Sequence, residues 1–337
     1  MNLVYKFKQL FAENQIMVVL LGIIAGLILP NIFAPLAPYT THMLILIFFC
    51  SSLRLELQEI IAYAKDWKML SMINGFMLIV LPIMMWLPLI LFAPDWAMAF
   101  LILGAMPTGM TIALIADLFG GKTTLALVIV ATTSLLAPLT VPFVFLITIG
   151  QVVPIPVVSL FTNLFITIVL PFIVATYVKH KRRKFVIKHD FWWREISIIA
   201  FGILIATIVA DTVGSEGNIT ISYRDTGLVI VMLIYMSALV SISYFMSWWR
   251  THSEKATIAL SIVYLNNTLS LYIANKFFPD ARLMTQLVIL LLAINVLLPP
   301  FRWIASNAVK LDAKTAKKTK NKKSGNKKKL PLKKSPI

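Results

Sequence analysis

Charge and thiols are what this sequence lacks most. Only 13% of its 337 residues are charged, about half of the roughly 25% that a soluble domain carries. Acidic residues are the scarcer sign, 14 Asp and Glu against 31 Lys and Arg, for a net charge of +17. One cysteine, Cys50, excludes a disulfide-stapled secreted domain. Beside Phe48 and Phe49 it reads as a small buried hydrophobe. The four histidines (42, 180, 189 and 252) lie in loops or at helix ends and form no metal-ligand spacing. What is abundant is apolar: 59% of the residues, with a mean hydropathy of +0.86. An ordinary soluble enzyme and a disordered chain are both excluded, and the chain reads as an all-α polytopic membrane protein.

The basic excess is unevenly placed. Twelve Lys and one Asp between Lys310 and Lys334 supply +11 of the charge. No aromatic residue follows Trp303, so this tail lacks the stacking surface of a single-strand nucleic-acid binder, and nucleic acid is not expected as a partner. Its composition predicts a disordered segment. Anionic lipid headgroups are its expected partner, each near-surface Lys contributing about 1 kcal/mol.

A membrane-crossing helix needs about 20 mostly apolar residues. Ten such segments are predicted, near 14–33, 39–55, 68–92, 96–118, 122–148, 154–178, 194–212, 225–248, 256–275 and 282–306. With the N-terminus in the cytoplasm, ten crossings leave 28 of the 31 basic residues inside. Only Arg224, Lys276 and Arg282 fall outside, and without the tail the split is still 16 to 3. That bias sets the orientation, with both termini cytoplasmic and the chain multi-pass in the inner (plasma) membrane. Trp192, Trp193, Trp248 and Trp249 fall at predicted helix ends, where an amphipathic ring anchors at the headgroup level.

Five is an odd number of crossings, so a second set of five starts from the opposite face and any duplication is inverted. The expected division is 1–150 for the first five-helix repeat, 151–307 for the inverted second and 308–337 for the tail. Thr111-Ile-Ala-Leu in the fourth segment resembles Thr268-Leu-Ser-Leu in the ninth, and each precedes a helix ending in prolines. The fourth segment also holds Gly104-Ala-Met-Pro107-Thr108-Gly109-Met-Thr111. Proline removes a donor and clashes with the preceding turn, while glycine permits close backbone approach. The ninth holds Tyr264-Leu-Asn266-Asn267-Thr268, two adjacent carboxamides that need partners in hydrocarbon. Corresponding breaks in two halves point to a transport site. Each feature also has a plain structural alternative. Pro107 kinks a helix, Asn266 or Asn267 bonds between helices, Thr132, Thr133 and Ser134 bond back to their own helix, and Asn74 makes a packing contact.

Leu103-Gly-Ala-Met-Pro-Thr-Gly-Met110, then Ala113-Leu-Ile-Ala-Asp-Leu-Phe-Gly-Gly121 and Thr133-Ser-Leu-Leu-Ala-Pro-Leu-Thr-Val-Pro142, resemble the bile acid:sodium symporter family. That family lies within a superfamily of bile acid, arsenite and riboflavin transporters. The resemblance implies ten helices in two inverted repeats, a panel of helices 1, 2, 6 and 7, and a core in which discontinuous helices 4 and 9 cross. It also implies sodium ligands that this sequence lacks. The family's Ser-Asn pair corresponds to Ile112-Ala113, its next-helix Ser and Thr to Ala126 and Val130, its acidic residue to Ile262, and its Gln in helix 3 to Met77. An arsenite exporter's cysteine is absent from Pro107-Thr108-Gly109-Met110.

The expected function is a secondary transporter of a small organic solute, an anion, by alternating access at the crossing. Pro107, Thr108, Gly109, Thr111, Asn266, Asn267, Thr268, Asn74 and Thr133 are the candidate substrate-binding residues. No catalytic group, metal ligand or cofactor is expected, and coupling to Na+ stays open. A non-transporting sensor or scaffold with the same fold is the alternative. Substrate identity, direction and the choice between monomer and homodimer are not in the sequence.

Overall fold

The computed structural model describes residues 15–110, 112, 116, 121–216 and 225–295. The predicted tail, Arg302 and the last part of the tenth segment lie outside them. Among the described residues the secondary structure is helical apart from one isolated bridge between Thr108 and Leu265. Six helical stretches are long and apolar enough to cross a membrane: Pro30–Ser52, Trp67–Phe92, Thr123–Ile149, Val157–Lys181, Asp190–Gly214 and Thr226–Met246. The chain is an all-α polytopic membrane protein.

The helices, in chain order, are α1 (Gln15–Ile28), α2 (Thr40–Ser52), α3 (Trp67–Phe92) and α4 (Pro94–Gly104). Then come α5 (Thr123–Ile149), α6 (Val157–Lys181), α7 (Asp190–Glu216) and α8 (Thr226–Met246). Two shorter helices, α9 (His252–Val263) and α10 (Asn267–Phe277), occupy the predicted ninth segment, and α11 (Ala281–Asn295) follows. The predicted fourth segment is represented by α4, which stops at Gly104.

The helices pack as two groups. Helix α7 lies against α1 and α2, and α2 lies against α6. Small residues allow the α1–α7 approach: a Cβ on Gly22 would stand 2.8 Å from the Gly202 carbonyl, and one on Gly26 2.5 Å from that of Ala206. In an apolar solvent such close packing is a main source of helix association. In the second group α3 lies against α4, α8 against α9, α5 against α3 and α9, and α10 against α4. Helix α11 joins this group through Gln286, whose Nε2 donates to the Asp95 carbonyl at 3.0 Å. Large apolar side chains such as Leu91, Phe92 and Phe245 point outward, a surface suited to lipid.

Two helices carry the same local distortion for the same reason. Phe76–Val80 in α3 and Phe165–Val169 in α6 are π-turns. Each runs directly into Leu-Pro, within Asn74-x-Phe-x-x-Ile-Val-Leu-Pro82 and Asn163-x-Phe-x-x-Ile-Val-Leu-Pro171. A proline ring collides with the carbonyl four residues earlier and offers it no N–H. Widening the turn relieves the collision, and the N–H groups of Leu81 and Leu170 bond five residues back to Phe76 and Phe165. Both π-turns pack against α5.

Candidate functional site

The two chain breaks meet each other. Met106 precedes a proline and is thereby disfavoured in helix, so α4 ends and the chain runs extended through Pro107 to Gly109. At the other break Tyr264 leaves the helical region (φ −90°, ψ 79°). Asn266 then starts α10 as its N-cap, its Oδ1 accepting the Leu269 N–H at 3.1 Å. The extended pieces form a two-rung antiparallel bridge. The Asn266 N–H donates to the Pro107 carbonyl at 2.8 Å, and the Gly109 N–H donates to the Tyr264 carbonyl at 2.7 Å. These pairings satisfy backbone groups that would be very costly to leave open in an apolar interior. Glycine is required by the approach: a Cβ at position 109 would lie 2.7 Å from the Tyr264 ring.

Side chains lock the bridge in place. Thr108, fully buried, donates its hydroxyl to the Ser261 carbonyl at 3.0 Å, with the Met77 sulfur at 3.4 Å. Its N–H reaches the hydroxyl of Thr133 at 3.4 Å, and that hydroxyl donates to the Ile129 carbonyl at 2.7 Å. Pro107, Thr108, Gly109, Asn266 and Thr133 are thus brought together. Asn267 sits at the first turn of α10, its Nδ2 donating to the Leu265 carbonyl at 3.2 Å, while its buried Oδ1 has no partner. Thr268 follows it, half-buried. Asn74 is on α3, donating to the Leu70 carbonyl and to Thr132, and its Oδ1 is likewise without a partner. Thr111 lies outside the described residues, as does Asp117.

A narrow cleft runs between the two helix groups and reaches the neighbours of this bridge. Ser52, Leu55 and Phe172 form one wall, and Met110, Val130 and Ser134 form the other. About 30 Å³ of it is open to water-sized spheres, room for about two waters. The Ser134 hydroxyl is buried and has no partner. The cleft lies toward the end of the molecule that carries Arg54, Lys179 and Arg250. Lys179 donates to the Leu55 carbonyl at 2.9 Å and pairs with Glu56 at 3.0 Å, Arg54 pairs with Asp190 at 3.5 Å, and Arg250 pairs with Asp66.

At the opposite end the groups are joined. Lys276 of α10 donates to Oδ1 of Asn163 on α6 at 2.7 Å, and to the hydroxyls of Tyr272 and Thr41 at 3.2 and 3.3 Å. Thr41 and Tyr272 share a hydrogen bond of 2.9 Å. Beside them Asn275 donates to Asp211 of α7 at 3.2 Å. Neither Asn163 nor Asn275 is among the candidate binding residues of the sequence, and Lys276 stands out there only as one of three basic residues on the outer face. Tyr264 and Ser261 contribute carbonyls, which no side-chain pattern signals.

The positions to which the resemblance assigns sodium ligands are apolar where the structure describes them. Met77, Ile112, Ala126, Val130 and Ile262 are all buried apolar residues, and Ala113 lies outside the described residues. Among the described residues, no group of three or more His, Cys, Asp or Glu could hold a metal ion.

The sequence profile of the Sodium Bile acid symporter family matches residues 41–222, just over half of the chain. The chain belongs to this family, and it is a membrane protein of the secondary-transporter type rather than an enzyme. No curated protein matches it.

Proposed function

We propose that this member of the sodium bile acid symporter family moves a small organic anion across the inner membrane by alternating access, with the solute held where the two chain breaks meet. The observation that carries the reading is the buried bridge of Pro107–Gly109 with Tyr264–Asn266, approached from one end by a cleft. The positive end of α10 favours a negative group without a buried Lys or Arg. The partnerless Oδ1 atoms of Asn74 and Asn267 and the Ser134 hydroxyl call for donors, since a buried acceptor left unpaired costs about 1–3 kcal/mol. A carboxylate that also carries hydroxyl or amide groups meets both demands.

In this reading the chain crosses ten times as two inverted repeats, 1–150 and 151–307, with both termini in the cytoplasm. The group of α1, α2, α6 and α7 is then the panel, and the group containing the bridge is the core. The cleft is the cytoplasmic access route. It is too narrow for an organic solute as it stands, so the groups must part to load it.

Sodium is not the coupling ion at the positions the resemblance implies, because methyl and thioether groups occupy them. The Thr108 hydroxyl, Asn266 Oδ1 and the Pro107 and Tyr264 carbonyls already serve internal bonds, and the partnerless Oδ1 atoms of Asn74 and Asn267 are too few for a sodium cage on their own. The same apolar residues are what would favour a sensor or scaffold that no longer transports.

Purified protein in liposomes tests both readings. Accumulation of labelled organic carboxylates is expected, with rates unchanged when sodium is replaced by potassium. No uptake of any of them, in either salt, overturns the transport reading. The tail acts only as a lipid-surface anchor: a chain without residues 311–337 should retain its uptake rate and lose affinity for vesicles containing anionic lipid.

A further inference from the structure

Three cations are expected on the face opposite the cleft, and one of them is placed unlike an ordinary surface charge. Arg282 is paired with Asp95 at 3.7 Å, and Arg224 lies outside the described residues. Lys276 has no carboxylate within 4 Å among the described residues. Its three partners, Asn163 Oδ1, the Tyr272 hydroxyl and the Thr41 hydroxyl, are neutral, and the Tyr272 ring lies 5.5 Å away. Of the neighbouring acids, Asp280 accepts the Leu283 N–H at 2.7 Å, and Asp211 accepts from Asn275. The ammonium is solvent-exposed, so an anion could reach it. It also stands where the two helix groups touch, one helical turn after Tyr272 and nine residues after Asn267.

We propose that Lys276 is the anion-capture residue of the mouth opposite the cleft, and that Thr41, Asn163 and Tyr272 form a neutral latch which an arriving anion releases. This deepens the transport reading above and rests on it. Neutral acceptors orient the ammonium and tie α10 to α2 and α6 without forming an ion pair with it. A carboxylate or sulfonate makes a stronger, charge-assisted bond to the same three N–H groups. Capture therefore weakens the tie across the group boundary, and the solute's arrival is linked to opening of that end.

The test uses the full chain in lipid nanodiscs, both faces accessible, with Cys50 replaced by Ala. A cysteine introduced by Thr41→Cys reports the local field through two thiol reagents of similar size, the anionic sulfonatoethyl and the cationic trimethylammonioethyl methanethiosulfonates. Relative to a free thiol, the anionic reagent should be favoured by about tenfold, as a local potential of a few kT implies. Lys276→Gln should erase that preference and Lys276→Arg should keep it. A second reporter pair, Asp211→Cys with Asn275→Cys, is joined by a short bifunctional thiol reagent across the boundary. Its cross-linking yield should fall at least about threefold in Lys276→Gln, or when ethanesulfonate is added to the Lys276 protein. A reagent preference that survives Lys276→Gln overturns capture, and an unchanged cross-linking yield overturns the latch. Neither readout needs transport, so the liposome experiment can fail on its own.

Discussion

Among the described residues, the ion pairs of Arg54 and Arg250 each stay within one helix group, whereas Lys276 and Asn275 at the other end reach across the boundary. Arg54 pairs with Asp190 of α7 inside one group, whereas Lys179 of α6 pairs with Glu56, the N-cap of a short helix, Leu57–Ala64, that packs against α5 and α3 of the other group. Arg250 pairs with Asp66, and the Lys122 N–H donates to Thr257, inside the other. The cleft is lined by Leu55, whose carbonyl accepts from Lys179. At the far end four side chains from α2, α6 and α10 form one hydrogen-bonded cluster, with Asn275–Asp211 alongside. Ties within groups keep each body rigid while ties between groups set which end is shut. A transporter in which one body moves against the other needs both kinds.

The largest expected effect follows from making the cross-boundary tie permanent. In the Asp211→Cys, Asn275→Cys protein lacking Cys50, a short thiol cross-linker should lower solute uptake by about a hundredfold, since every cycle needs this end to part. Reductive cleavage of a disulfide-containing linker should restore it. Joining Arg54→Cys to Asp190→Cys in the same way should leave uptake within about twofold, because both residues belong to one body. Equal loss in the two proteins would erase the distinction between the ends.

Next in size is an obstruction of the cleft itself. A Ser134→Cys protein modified with a bulky maleimide should lose about tenfold in uptake, because a space for about two waters cannot hold the adduct and a solute together. Labelling should be fast only while the cleft is open. Asn267→Ala should then raise the KM for a hydroxylated carboxylate by about tenfold, one hydrogen bond to a buried acceptor being worth about 1.4 kcal/mol. The effect on maximal rate should be small, and a solute without donor groups should be insensitive to the substitution.

Much of this arrangement was readable before any coordinates. Proline and glycine at 107 and 109, and two carboxamides at 266 and 267, are conspicuous inside apolar blocks, so the breaks showed themselves. Their partners did not. The Thr108–Leu265 bridge joins residues 157 positions apart through main-chain atoms, and carbonyls such as those of Tyr264 and Ser261 leave no mark on side-chain composition. The duplicated Asn-x-Phe-x-x-Ile-Val-Leu-Pro was available as a sign of the two π-turns, since the Leu-Pro dictates them. Asn163 carried no mark of its role, and its partner Lys276 was recognisable only as an isolated charge on the face poor in them. Ser134, read as bonding back to its helix, instead lines the cleft with its hydroxyl unpaired.

The smallest effect expected is also the sharpest check on the basic end. Burial lowers the pKa of Arg54, Asp190 raises it and Arg194 lowers it further, a local balance entirely within one helix group. Both partners are partly exposed, Asp190 by 55%, so the pair is worth at most about 1 kcal/mol. Exchanging the two charges in Arg54→Asp, Asp190→Arg should shift the melting temperature by only about 2–4 °C and leave uptake within about twofold. Uptake that collapsed in a protein still folded at its usual temperature would mean that charges at this end help to gate the cleft. The two ends would then differ in degree of closure alone, and the assignment of rigid ties to one and a latch to the other would fail.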